Sequence, residues 1–324
     1  MTERRTKTPL FDRATRLLQE EQQFHREALI GVETAEIRPR VKYSDLPLAL
    51  ANFADIHYGS IHGDYPLLTR HLGIVEDTPN MVMGTNGDDI DNFNVIVSKL
   101  ATGTFENPLP PQIQATAYME KIYTLDKEGK LVFMSYGNHN NFGDSAGYDW
   151  LETWARNLPR KIPIFTSGGE LRLKVGKEGY DIGISHRHWG SSKLNPTNAI
   201  KRFMEYEYPN ADMLSLAHTH QSEVIVFERG GKERVGVIAG TYKQGLEGHG
   251  EPWARQMGIG TRAGRPGITV LFYPNQHKME VFKHIEDAQD YIGALVYRKE
   301  HSGIEHMVFE AGRERIARNE TGEN

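Results

Sequence analysis

Leu48-Ala49-Leu50-Ala51-Asn52-Phe53-Ala54-Asp55-Ile56-His57 is an apolar run that stops at a carboxylate and an imidazole. The pattern recurs four times in chain order. Residues 81–84 lead to Gly87-Asp88-Asp89-Ile90-Asp91, and 131–136 to Gly137-Asn138-His139. Residues 180–185 lead to His186, and 213–217 to His218-Thr219-His220. Each run has the length of a buried strand, and the stretches between them (65–72, 93–100, 148–158 and 196–206) have helical content. Strand and helix alternating in this way imply α/β layering. Further strands at 223–228, 235–239, 267–273 and 279–282 follow with short polar connections and read as hairpins. The expectation is a mixed sheet or two packed sheets.

The clusters carry the chemistry. Asp55 and His57 lie two residues apart at a strand end, so strand alternation would aim both at one face, where they can share a cation. His218 and His220 repeat the spacing. Asp88 follows a glycine, which suits a tight turn that brings a carboxylate between two cations. Asn138 offers a neutral carbonyl oxygen, leaving His139 for acid–base work. Open α/β sheets bind ligands beyond the carboxyl ends of their strands, where all five clusters fall. With no cysteine and 14 histidines, His, Asp, Glu and Asn are the side chains left to hold a metal.

The ordered series resembles the calcineurin-like metallophosphoesterase superfamily, whose pattern is D-x-H, G-D-x-x-D, G-N-H-[E/D], a lone H, then G-H-x-H. The resemblance implies a two-sheet α/β sandwich of mixed sheets flanked by helices. It implies that Asp55, His57 and His220 hold a first metal, that Asp88 bridges, and that Asn138, His186 and His218 hold a second. His139 would sit at the substrate phosphate, and Asp91 would support the site from outside the ligand set. Two divalent ions are implied, manganese first, with iron, zinc or nickel as alternatives; about 3.5–4 Å apart, such ions activate a bridging water for in-line attack on a phosphate ester. The chain departs from the pattern at Asn140, where the family has an acid, and at Ala217, where it has glycine. In Ser185-His186-Arg187-His188, His186 is taken as the ligand because it directly follows the apolar run, and Arg187 or His188 as substrate contacts.

The remaining sequence bounds these expectations. The 324 residues and net charge of -5 fit one large α/β domain with extra segments and no global basic field. The organisation expected is a helical arm over 1–45, a catalytic domain over 46–285 and an extension over 286–324 packing on the core, its tail frayed. The arm's amphipathic stripe over 10–30 would pack on the core, or mediate oligomerisation. The polar start and the lack of a long apolar stretch make a cytoplasmic protein without a membrane association the default. Residues 240–267, rich in Gly, His, Arg and Pro, are a candidate lid or a plain surface excursion, with His249 a possible substrate contact. His62 and Asp64 read as solvated loop residues, and Trp150, Leu151, Trp154 and Leu158 as one packed helix face. Gly258-Ile259-Gly260 is not flanked as a dinucleotide loop requires.

The activity expected is that of a phosphoric ester hydrolase. The rival reading is a nuclease, for which Arg187, Lys193, Lys201, Arg202, Lys243, Arg255, Arg262 and Arg265 are candidates to track a DNA or RNA backbone. A binding scaffold without catalysis is a further alternative.

Overall fold

The computed structural model describes residues 9–27, 29–92, 108–140, 149–188, 195–243 and 264–301. In chain order the strands are β1 (Thr34–Ile37), β2 (Leu48–Phe53), β3 (Met81–Asn86), β4 (Leu131–Ser135), β5 (Ile164–Phe165), β6 (Gly169–Val175), β7 (Glu178–Ser185), β8 (Met213–Leu216), β9 (Glu223–Arg229), β10 (Lys232–Ile238), β11 (Thr269–Phe272) and β12 (Met279–Phe282). The helices are α1 (Pro9–Glu27), α2 (Tyr65–Asp77), α3 (Pro111–Lys127), α4 (Trp150–Ala155), α5 (Thr197–Tyr206) and α6 (285–301). The strands form two six-stranded mixed sheets, ordered β12-β11-β2-β3-β4-β5 and β1-β6-β7-β8-β10-β9. This is the sandwich that the metallophosphoesterase resemblance implies.

Strand β2 shows why its run is apolar throughout. Its Leu48 and Leu50 face the second sheet, in a core shared with Leu171, Ile182, Met213 and Val237. Ala49, Ala51 and Phe53 face the opposite way, into a core shared with α2, α3 and α6 through Leu72, Ile122 and Ile292. A strand covered on both faces has no polar side to show, so periodicity gives way to a continuous run. Helix α5 covers the outer face of the second sheet, packing Ala199, Ile200, Phe203 and Met204 on Leu214, Leu216 and Ile238. Layer order is therefore helices, sheet, sheet, helix.

Five described elements, β1, β5, β6, α3 and α6, lie where the sequence reading has none. Strand β1, from within the segment expected as an arm, pairs parallel with β6 as a sheet edge. Strand β6 alternates buried Leu171, Leu173 and Val175 with Arg172 and Lys174. Helix α3 buries Gln114 and Asp126 among its apolar positions, which blurs the stripe that would have marked it. Helix α6 packs the start of the expected extension on the core through Ile285, Ala288 and Ile292. The expected helix at 93–100 and the frayed tail lie outside the described residues, as do 244–263 of the candidate lid and His249.

Helix α1 docks through Phe24, whose ring sits 3.8 Å under the Arg156 guanidinium, while Leu10, Leu17 and Leu18 are exposed. No helix among the described residues is long and apolar enough to cross a membrane.

Candidate metal centre

Strands β2, β3 and β4 run parallel in one sheet, and β7, β8 and β10 in the other. Their carboxyl ends collect at one edge of the sandwich. The segments leaving them carry Asp55 and His57, Asp88, Asn138 and His139, His186, His218 and His220, and Lys243. Asn86 ties the sheets together there, its amide donating to the carbonyls of Ser215 at 3.0 Å and Ser185 at 3.3 Å.

The paired ligands do not lie on extended backbone. β2 ends at Phe53 and β8 at Leu216, and Asp55, His57, Asp88, His218 and His220 take φ values of 46, 49, 53, 74 and 56 degrees. Strand alternation, the expected reason for their common aim, is thus corrected. The chain instead curls through the left-handed region and is held there by cross-loop bonds, Asp55 N–H to the Gly87 carbonyl at 3.0 Å and His57 N–H to that of Asp88 at 2.9 Å. Such a conformation costs a non-glycine residue about 1–3 kcal/mol and persists only where the surroundings over-determine it.

Three groups of ligand atoms converge within 4.8 Å of one another: Asp55, His57 and His220; His57, Asp88 and His139; and Asp88, His186 and His218. Asp88 belongs to two of them, on the side of His186 at 3.1 Å and on that of His139 at 3.9 Å. Asn138 joins through its side-chain oxygen, 3.1 Å from His186 Nε2.

Hydrogen bonds behind the rings set their tautomers. His57 Nδ1 lies 2.7 Å from an Asp91 carboxylate oxygen and His186 Nδ1 2.7 Å from the Asn86 carbonyl. Both partners accept, so each Nδ1 donates and each Nε2 presents its lone pair to the cluster, the arrangement that orients metal-ligating histidines. His57 Nε2 then faces His220 Nε2 at 3.1 Å, and the buried Asp55 Oδ1 has no hydrogen-bond donor. A ring lone pair and a buried carboxylate oxygen without a donor, converging at one place, suit a cation between them. The donor set of imidazole nitrogen with carboxylate and amide oxygen fits divalent transition metals.

The electrostatics divide the histidines. Burial pushes the His218 ring down to about 4 and, aided by the neighbouring His57 and Lys243, that of His220 well below its ordinary value. Both rings are neutral at neutral pH. Burial drives Asp55 up to about 6, whereas in Asp88 the neighbouring His186 and His139 overcome burial and hold the carboxyl well below its usual range. Burial likewise opposes charge on His186, but Asp88 and Asp55 raise it to about 9.

His139 is buried at the same edge, its ring pushed down to about 4 chiefly by burial. Its Nδ1 donates to the Asp91 main-chain carbonyl at 2.6 Å, which makes Nε2 the acceptor nitrogen of the ring, 3.9 Å from Asp88 Oδ2. The Asn140 side chain accepts from Gly137 N–H at 2.8 Å. Asn140, at the position where the resembled pattern has an acid, therefore closes the Gly-Asn-His turn, and a carbonyl from the Asp88–Asp91 loop orients His139.

Behind these side chains lie Asp91, expected to support the site from outside the ligand set, and groups that sequence spacing did not reveal, Asp89 and Gln114. Asp91 Oδ1 accepts from the buried Lys243 Nζ at 3.0 Å as well as from His57. Asp89, also buried, accepts from Tyr118 at 3.0 Å and Thr85 at 3.3 Å, and burial raises its carboxyl to about 7. Gln114 of α3 accepts from Asn92 N–H at 3.0 Å, holding the loop after Asp91.

Other expected residues have other fates. Arg187 is exposed and close enough to His218 to depress its ring. His188 is half-buried, its ring centroid 6.3 Å from Phe203 of α5. Lys243 is only 5% exposed and engaged with Asp91, which removes it from the set of solvated cations able to track a nucleic acid. Lys201 and Arg202 lie exposed on α5, Arg265 pairs with Glu286, and Lys193, Arg255 and Arg262 lie outside the described residues. His62 is buried, contrary to the solvated reading, and Asp64 caps α2 by accepting from Leu67 N–H at 3.0 Å. Trp150 and Leu151 are buried in the core and Trp154 and Leu158 pack on its margin.

No family model and no curated protein matches the chain. Among solved structures it is similar to Vacuolar Protein Sorting 29 from Cryptosporidium parvum, at 14% identity and a TM-score of 0.35 over 74% of this chain and 97% of that one. It is also similar to a conserved uncharacterized protein of Streptococcus pneumoniae described as a predicted phosphoesterase, at 13% identity and 0.32 over 73% and 97%. A third likeness, to the Pseudomonas putida nuclease MPE, has 11% identity and 0.29 over 72% and 87%.

Proposed function

We propose that this chain is a dinuclear metal-dependent phosphoesterase of the calcineurin-like kind, hydrolysing a phosphate mono- or diester with water as the nucleophile. The observation that carries the reading is the pair of ligand triads, Asp55-His57-His220 and Asp88-His186-His218, set side by side at a strand-end edge with their lone pairs converging. In the assignment, Asp55, His57 and His220 hold the first cation, Asn138, His186 and His218 the second, and Asp88 bridges. Two divalent cations in such a site supply Lewis acidity towards the phosphoryl oxygens and lower the pKa of the attacking water.

The chain's own residues do the rest. Asp91 and Asn86 keep His57 and His186 in the ligating tautomer. His139, neutral and with Nδ1 committed to the Asp91 carbonyl, takes at Nε2 the proton released by the attacking water and passes it to the departing oxygen. Arg187, exposed beside His218, meets the substrate's negative charge from the solvent side.

The test is a screen of chelated and manganese-reloaded protein against nitrophenyl monoesters and diesters, cyclic nucleotides and DNA. Turnover of an ester only after reloading supports the reading. Occupied metal sites with no turnover of any phosphate ester would overturn it and favour a binding scaffold. Salt-sensitive cleavage of DNA alone would make the substrate a nucleic acid, although the burial of Lys243 removes one of the cations that reading needs.

A further inference from the structure

We propose that Lys243 is a positioning residue of the metal centre, acting through the Asp91 carboxylate on His57; the inference rests on the metal reading above.

The geometry begins with the segment that leaves β10. Gly240-Thr241-Tyr242-Lys243 crosses from the second sheet to the loop after β2. The Thr241 hydroxyl donates to the Asp55 carbonyl at 2.6 Å, and Tyr242 N–H donates to the same oxygen at 3.2 Å. Lys243 N–H donates to Thr241 Oγ1 at 2.9 Å, and Asp64 N–H to the Tyr242 carbonyl at 2.8 Å. The strap is thus bonded on both sides of the site, which fixes where the lysine stem enters.

The lysine head then goes inward. Its Nζ donates to Asp91 Oδ1 at 3.0 Å, the oxygen that also takes His57 Nδ1–H at 2.7 Å. Asp91 is fully buried, and its main-chain carbonyl holds His139 Nδ1–H at 2.6 Å. Asp91 therefore orients both His57 and His139, the first through the side chain that Lys243 fixes and the second through its main chain. An ammonium that stays buried must be compensated by its partner, because its desolvation costs several kcal/mol. The Lys243–Asp91 pair is internally neutral, so the positive charge that two cations bring is left for the phosphate. Removing Lys243 leaves Asp91 as an unbalanced anion free to tilt towards the cations, and the His57 ring loses its fixed aim. Side chains behind metal ligands typically change metal affinity by roughly 10- to 100-fold when removed.

A double-mutant cycle with metal binding as the readout tests this. Manganese affinity and stoichiometry are measured by calorimetry, without substrate, on the full chain and on Lys243→Met, Lys243→Arg, Asp91→Asn and Lys243→Met/Asp91→Asn. Expected is a roughly 10- to 100-fold loss of affinity at one of two sites in Lys243→Met, largely restored in Lys243→Arg. In the Asp91→Asn background the added Lys243→Met change costs nothing further, because the path runs through the lost carboxylate. Should Lys243→Met fail to fold, the double variant, which buries no unpaired charge, still gives the comparison with Asp91→Asn alone. Equal losses in both backgrounds, or none in Lys243→Met, overturn the proposal while leaving the metal site intact. A parent protein that takes up no metal overturns the metal reading and this inference together.

Discussion

At the residue scale, the left-handed backbone of Asp55, His57, Asp88, His218 and His220 sets function against stability. Glycine takes such φ values without strain. Replacing His218 by glycine is expected to leave the chelated protein as stable as its parent, or about 1 kcal/mol more so, while abolishing uptake at the second site. Urea denaturation with chelator, alongside metal analysis, checks both halves. Gly137 is constrained from outside: a Cβ there would stand 2.0 Å from Asp88 Oδ1 and 2.3 Å from Asp88 N. Gly137→Ala should therefore displace the bridging carboxylate and lower metal content at both sites, readable by elemental analysis. For His139→Ala, metal content should stay at the parent's value while turnover falls about 10²- to 10⁴-fold, the usual worth of a positioned proton carrier. A loss of metal in step with activity would instead make His139 a ligand.

At the scale of elements, α2 and α6 meet behind the strap through His71. The ring is fully buried, with Nδ1 2.9 Å from the Tyr242 hydroxyl and Nε2 3.4 Å from Glu286. Burial lowers its pKa below the ordinary 6.5, outweighing the pull of Glu286. The unfolded chain then accepts a proton that the folded chain refuses. This contribution to stability is full above pH 6.5 and declines as the pH falls from there towards the folded pKa. Its slope is at most about 1.4 kcal/mol per pH unit. His71→Gln should be less stable than the parent at pH 7.5 and should lose less on acidification to pH 5. Urea midpoints of the chelated proteins at the two pH values measure this, and parallel losses would contradict it.

At the scale of the whole molecule, cations in the proposed site would link the two sheets. Asp55, His57, Asp88 and Asn138 come from one, and His186, His218 and His220 from the other, so cations bound between them cross-brace the sandwich. Ligands that bind only the folded state stabilise it by about 2.7 kcal/mol at a concentration 100 times the dissociation constant. Manganese should accordingly raise the Tm of the chelated protein in a concentration-dependent way. The same addition should leave the Tm of Asp88→Asn nearly unmoved, since that change weakens both halves of the brace.

Much of this was legible in the chain itself. The apolar runs marked β2, β3, β4, β7 and β8 because strands covered on both faces exclude polar residues, and the clusters after them are local in sequence. Helix α3 was not legible, because the buried Gln114 and Asp126 interrupt its stripe while bonding Asn92 and Arg160. The sequence by itself determined which residues stand at the strand ends, and in what order, since that depends on neighbours a few positions away. Only the tertiary structure decided how they are aimed. Their curl depends on bonds between loops, and Lys243 meets Asp91 across 152 positions of chain. No local period records such a pairing; it exists because two sheets close on one another and bury both charges at the same edge.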